Sequence, residues 1–176
     1  MSTGYAIETI GPRTVDRAYP MARVGGFTLS LDEWRAFCRS LGSPPVGGRT
    51  GQELAVVARN TSGYVKGLCV YSIKHLSPHG RLLDVPVFVV ASAADEEGVA
   101  TELIGFLRSE CKKSACAGLR FPCVEPDLRA RRLTREATEQ TDDGVFLPVG
   151  VSVAEIAKAI CAHSISDVAS IDQLCR

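Results

Sequence analysis

The segment Arg81–Cys116, RLLDVPVFVVASAADEEGVATELIGFLRSECKKSAC, decides the fold, because a strong strand pattern runs directly into a strong helix pattern. Leu82 to Ala91 is short, apolar and rich in β-branched residues, the signature of a buried strand. Ser92, Ala93, Ala94 and an acidic run mark its end. From Val99 onward, Val99, Leu103, Phe106, Leu107 and Cys111 recur at helical spacing, with Glu102, Arg108, Ser109, Lys112 and Lys113 on the other face. The reading is strand, sharp turn, core-facing amphipathic helix.

A chain that passes straight from a strand into a helix exposes the helix's first backbone N–H groups at its mouth. Gly98 would let a bound group approach that backbone closely. Such a mouth suits an anion.

Here the sequence resembles the GNAT family of N-acetyltransferases, whose acetyl-CoA signature is Arg/Gln-x-x-Gly-x-Gly/Ala between a strand and a helix. The matching residues are Asp95, Glu96, Glu97, Gly98, Val99 and Ala100, flanked by the preceding Val-Phe-Val-Val-Ala and by Leu103. The glycine and the small second residue fit. The first position departs, with Asp95 in place of Arg or Gln and two further acids behind it. The resemblance implies that backbone amides from Glu97, Gly98, Val99, Ala100 and Thr101 hold the diphosphate of acetyl-CoA or another acyl-CoA. It also implies that a backbone N–H at Val89 or Val90 polarises the thioester carbonyl.

Three carboxylates beside a diphosphate would oppose it: two like charges about 4 Å apart cost roughly 1 kcal/mol in water and about 4 kcal/mol at an effective dielectric near 20. The same acids have a purely structural use. Asp95 is a good N-cap, and Glu96 and Glu97 complement the helix dipole in the first turn.

The chain has 176 residues, enough for one well-buried core, and one domain is expected. Hydrophobic residues make up 45% and charged residues 23%, which excludes a disordered chain. No apolar run nears the ~20 residues of a bilayer span. The first residues lack a basic segment followed by an apolar stretch, so a cytoplasmic, membrane-free protein is expected. Lys plus Arg and Asp plus Glu are 20 each, so no net field draws in nucleic acid. The seven cysteines show neither CxxC spacing nor a histidine partner, which points to small core residues with reduced thiols and no metal site.

In chain order, Tyr5 to Ile10 reads as a first strand. VDRAYPMARV after Thr14 reads as a helix bent or interrupted near Pro20. Ser30 and Glu33 form a capping box ahead of a helix with Leu31, Trp34, Phe37, Cys38 and Leu41 on one face. By resemblance, this helix pair would border the acceptor-amine cleft. SPPVGGRTG is a connector. Glu53–Asn60 and Tyr64–Lys74 are strands joined by hairpin chemistry at Asn60-Thr61-Ser62-Gly63. His75 to Gly80 turns into the Leu82 strand, so three strands form an antiparallel meander.

Gly118 to Cys123 is a strand reached through the long helix, hence parallel to the Leu82 strand. In the family these two strands splay and the pantetheine arm of CoA enters between them, with Phe121 to Pro126 lining the acyl end. Asp127 caps the helix LRARRLTREATEQ, Asp142-Asp143-Gly144 turns, and Val145–Val149 is a last strand. The expected fold is therefore α/β of α+β type: a GNAT-like mixed sheet, an antiparallel meander followed by a β-α-β crossover, with helices on both faces. Residues 1–150 form this domain. Residues 151–176 form a C-terminal helical extension that covers a sheet edge or makes a homodimer contact.

Amine acetylation needs a proton acceptor near the incoming nitrogen. The candidates are Asp84 at the start of the central strand, Glu125 after the next one, and His75 or His79 in the preceding turn, with Tyr71 as a hydrogen-bond donor. The family's late tyrosine, which returns a proton to the thiolate, has no counterpart, since no Tyr follows Tyr71. The function expected is acyl-CoA-dependent N-acyl transfer to a small-molecule or peptide amine. The alternative is a GNAT-like module that binds a ligand or protein without turnover.

Overall fold

A computed structural model describes residues 4–41, 51–76, 80–92, 94–122, 139–141, 144–148 and 152. In chain order the described elements are β1 (Tyr5–Thr9), α1 (Val15–Val24), α2 (Leu31–Ser40), β2 (Leu54–Asn60), β3 (Val65–Leu76), β4 (Gly80–Val90), α3 (Glu96–Lys113), β5 (Gly118–Phe121), β6 (Glu139–Thr141) and β7 (Gly144–Pro148). The strands form one sheet in the order β1-β2-β3-β4-β5-β7-β6. Every described pair is antiparallel except β4 with β5. The expected meander and α-helical crossover to a parallel strand are both present.

Local chemistry explains the turns. Between β2 and β3, Asn60 Oδ1 accepts from the Tyr64 N–H at 2.9 Å, and Gly63 takes φ +86°, which a side chain rarely tolerates. Ser30 and Glu33 close the capping box at the start of α2. β5 stops at Phe121, short of the expected Cys123, because Pro122 has no N–H to continue a ladder.

Alternation along the strands divides the core in two. Val56, Ala58, Cys69, Tyr71, Leu83, Val85, Leu119 and Leu147 face α3, which buries Val99, Ala100, Leu103, Ile104, Leu107 and Cys111 against them. Gly67 makes the contact close: a Cβ there would lie 2.8 Å from Leu103 Cδ1 and 3.0 Å from Val99 Cγ1. The opposite face carries Val57, Leu68 and Val89 against Ala18, Ala22 and Trp34 of α1 and α2. Trp34 is fully buried, packs on Phe27 and Phe37, and donates its indole N–H to the Val15 carbonyl at 2.8 Å. It is a core residue joining α2 to α1.

Two expectations are corrected. α1 runs unbroken through Pro20, whose exposed ring forfeits one helical bond while Ala18 and Ala22 dock on either side of it. Tertiary packing outweighs the local penalty. Glu139 and Gln140, read as the end of a helix, instead form β6, which pairs antiparallel with β7, Gln140 opposite Val145 and Thr141 opposite Gly144. The remainder of that expected helix, the loop 43–50 and the C-terminal extension 151–176, apart from Ser152, lie outside the described residues. No helix among the described residues is long and apolar enough to cross a membrane.

Candidate functional site: a fork between β4 and β5

β4 and β5 pair over only two rungs, Leu83 with Leu119 and Asp84 with Arg120. Beyond Asp84, β4 stays with β3 as far as Val90 opposite Gly67, while β5 follows β7 through Phe121 opposite Val145. The two strands therefore part, and beyond Asp84 the β4 edge facing the gap pairs with no other strand among the described residues.

The break coincides with a β-bulge. Val70 opposes Val87 but Ser72 opposes Asp84, so Val85 and Pro86 share the position across from Tyr71. The extra residue exchanges the faces of β4. Leu83 and Val85 point to α3 before it, whereas Phe88 and Val90 do so after it, and Val87 and Val89 turn toward α1 and α2. Backbone polarity follows the register. The Ala91 N–H donates to the Lys66 carbonyl at 2.9 Å, so alternate residues of β4, Val89 among them, bond to β3. Phe88 and Val90 then aim their N–H and C=O groups into the fork. Of the two sequence candidates for a carbonyl-polarising amide, Val90 faces the gap and Val89 faces β3. Phe88, which the sequence did not single out, joins Val90. On the α3 side, Phe88 and Phe121 meet edge to face at 5.8 Å, lining the fork with aromatic surface.

The mouth of α3 is occupied by its own cap. Asp95 accepts from the Gly98 N–H at 3.0 Å, and a Cβ on Gly98 would fall 2.4 Å from both Asp95 carboxylate oxygens. The Val99 N–H bonds to the Asp95 carbonyl at 3.3 Å. Since the helix begins at Glu96, the amides of Ala100 and Thr101 also lie inside its ladder. Val99, Ala100 and Thr101 thus have no free N–H to give an anion, and only those of Glu96 and Glu97 remain. Tyr5 is a neighbour that nothing in the sequence flagged. Burial and its hydrogen bond to Asp95 raise the Tyr5 phenol's pKa, with a Ser92 hydrogen bond acting the other way.

Of the candidate acid–base residues, the described ones are Asp84, His75 and Tyr71. Asp84 is fully enclosed and turned away from α3, its oxygens paired with Lys74 and, at 3.2 Å, with Arg120. It has no open side from which to take a proton. Tyr71 is 5% exposed and packs on Phe106, and burial followed by the nearby Glu110 carboxylate pushes its phenol up to about 12. With His75, Arg81 and Glu110 it borders a cleft of about 490 Å³ at the far end of α3. Glu110 lies about 21 Å along the helix from Glu96 at 1.5 Å per residue. Glu125 and His79 lie outside the described residues. Burial also raises the Cys111 thiol to about 11 and lifts that of Cys116, which suits packing and not nucleophilic attack.

The fork therefore fits an extended, amide-bearing chain such as the pantetheine arm of an acyl-CoA. The capped, acidic mouth of α3 does not fit a diphosphate in this arrangement.

No protein-family model and no curated protein sequence matches the chain. Solved structures do. An aminoglycoside 6'-N-acetyltransferase from Acinetobacter baumannii superposes with a TM-score of 0.61 at 13% identity, over 78% of this chain and 95% of that one. An aminoglycoside N-acetyltransferase in complex with a CoA-containing bisubstrate analogue gives 0.60 at 13% identity, over 78% and 94%. A GNAT-family acetyltransferase from Staphylococcus aureus gives 0.54 at 8% identity, over 82% and 99%. With the mixed sheet, the bulged β4 and the β4–β5 fork already in place, the chain has the fold of the GNAT acetyltransferases.

Proposed function

We propose that the protein is an acyl-CoA-dependent N-acyltransferase that transfers an acyl group directly to a small-molecule or peptide amine. The observation that carries this reading is the fork, where Phe88 and Val90 present backbone groups with no strand partner among the described residues, beside aromatic side chains. An arm that carries amides can hydrogen-bond along that edge as an added strand would. In this reading the N–H of Val90 or Phe88 donates to a thioester oxygen as negative charge builds on it. CoA supplies the activated acyl carbon. The protein holds that carbon, excludes water with Phe88 and Phe121, and admits an uncharged amine. Direct transfer requires no protein nucleophile, consistent with the raised cysteine thiols.

A second reading is supported by a different observation. The Asp95 carboxylate sits on the Gly98 amide, with Glu96 and Glu97 behind it, where a diphosphate-binding loop would keep its amides open. A GNAT-like module that binds a ligand or protein without turnover would have this feature. Calorimetric titration with acetyl-CoA, with CoA as control and at two salt concentrations, separates the readings. Salt-sensitive micromolar binding, followed by thiol release on addition of an amine, supports transfer. No heat at millimolar ligand supports the binding module and removes the first reading.

A further inference from the structure

We propose that the cluster Lys74–Asp84–Arg120 is a positioning device that fixes the point at which β4 and β5 separate. It acts on the fork through the β4 backbone and touches no substrate. The inference rests on the acyl-CoA reading for its binding consequence, and on the fold alone for its structural one.

Ser72, Asp84 and Arg120 lie on one rung across β3, β4 and β5, and that rung is the last at which β4 and β5 pair. Asp84 is 0% exposed, Arg120 13% and Lys74 36%. Asp is a poor strand former and a costly residue to bury. A buried ion cluster is seldom more stable than apolar side chains of similar volume, whereas stranding one of its charges is severe. Its effect is to forbid other registers. If β5 slid by one residue along β4, Leu119 or Phe121 would stand beside Asp84 and the carboxylate would lose Arg120. The cluster thus holds β5 at one registration.

The next two residues of β4 end the pairing. Val85 and Pro86 form the bulge, which bends the strand, and Pro86 has no N–H to donate. A clamp immediately before a bend makes the fork open at a defined place, leaving the outer edge at Phe88 and Val90 without a strand partner among the described residues. Without the clamp, β5 can slide or zip further along β4 and close the gap.

The test compares the wild type with the triple variant K74M/D84V/R120L, which removes the charges without stranding any, and with Asp84→Asn. Three readouts are melting temperature, acetyl-CoA affinity by calorimetry, and residue-level amide hydrogen exchange. The triple variant is expected to melt near the wild type yet bind acetyl-CoA at least tenfold more weakly, with the Phe88 and Val90 amides becoming more protected or Leu83 and Leu119 less so. Wild-type affinity and an unchanged exchange pattern in the triple variant would overturn the proposal. If the triple variant does not fold, Asp84→Asn below its melting temperature decides by the same two readouts. Absence of acetyl-CoA binding by the wild type would sink the acyltransferase reading, while the exchange pattern at Phe88, Val90, Leu83 and Leu119 would still decide the clamp.

Discussion

Replacing Asp95 by Asn tests whether this side chain competes with a ligand at the mouth of α3. Asn is as good an N-cap as Asp, so the bond to the Gly98 N–H at 3.0 Å should persist. What disappears is the charge. Its favourable interaction with the helix dipole is lost, about 0.3–1 kcal/mol, which lowers the melting temperature by only ~1–4 °C in a chain of this size. Its repulsion of a phosphate is also lost. For two unit charges about 4 Å apart that repulsion is roughly 1 kcal/mol in water and grows as water is excluded. Acetyl-CoA should therefore bind at least about fivefold more tightly to Asp95→Asn, and the gain should shrink at high salt. The comparison variant is Asp95→Ala, which removes charge and cap together and should cost about 1 kcal/mol of stability. Calorimetry at low and high salt reads the affinities, and thermal melts read the stabilities. Equal affinity of wild type and Asp95→Asn would refute the reasoning, because the carboxylate would then lie outside the path of the diphosphate.

Gly67→Ala should lower stability by about 1–3 kcal/mol, since its Cβ would press on Leu103 and Val99 and lie 3.2 Å from the Val89 carbonyl; denaturant titration reads the loss. Tyr71, raised to about 12 from an ordinary 10.0, makes the native state bind its proton more tightly than the unfolded chain. Its contribution is full below pH 10 and is lost as pH rises toward 12, at most about 3 kcal/mol. Tyr71→Phe should flatten that alkaline fall in unfolding free energy, and an identical slope would exclude the effect. Acetyl-pantetheine, which lacks the diphosphate, should bind the wild type within a few-fold of acetyl-CoA if α3 keeps its cap. A hundredfold loss in the same titration would mean that the mouth opens to the diphosphate.

Much of the fold can be read from pattern alone, because each main signal is local. The apolar, β-branched run from Leu82 to Ala91, the turn chemistry of Asn60 to Gly63, and the Ser30–Glu33 box all depend on residues close in sequence. The site is less legible. The bulge at Val85–Pro86 is set by pairing with β3, so the run of apolar residues in β4 hides the exchange of faces that aims Val90 and not Val89 into the fork. Asp84 looks like a candidate base at the head of a strand, and only its partners on β3 and β5, Lys74 and Arg120, show what encloses it. Tyr5 stands ninety residues before Asp95 in the chain, and no spacing rule links them. The departure at Asp95 is the exception, because its two sequence readings, cap and repulsion, are properties of one carboxylate on one amide.

That coincidence bears on how the two halves of the site relate. In this chain few residues separate the end of β4 at Val90 from the start of α3 at Glu96, so the fork and the helix mouth are neighbours in sequence. The fork depends on backbone: register, bulge and a proline fix it, and side-chain substitutions along the edge leave its hydrogen-bonding groups in place. At the mouth it is a side chain, that of Asp95, that occupies the Gly98 N–H. The fork can therefore persist whatever side chain stands at position 95. Ligands that use only the fork should be indifferent to Asp95, and ligands that span both ends should feel its charge. The ratio of those two affinities, more than either alone, separates an acyltransferase from a binding module built on the same sheet.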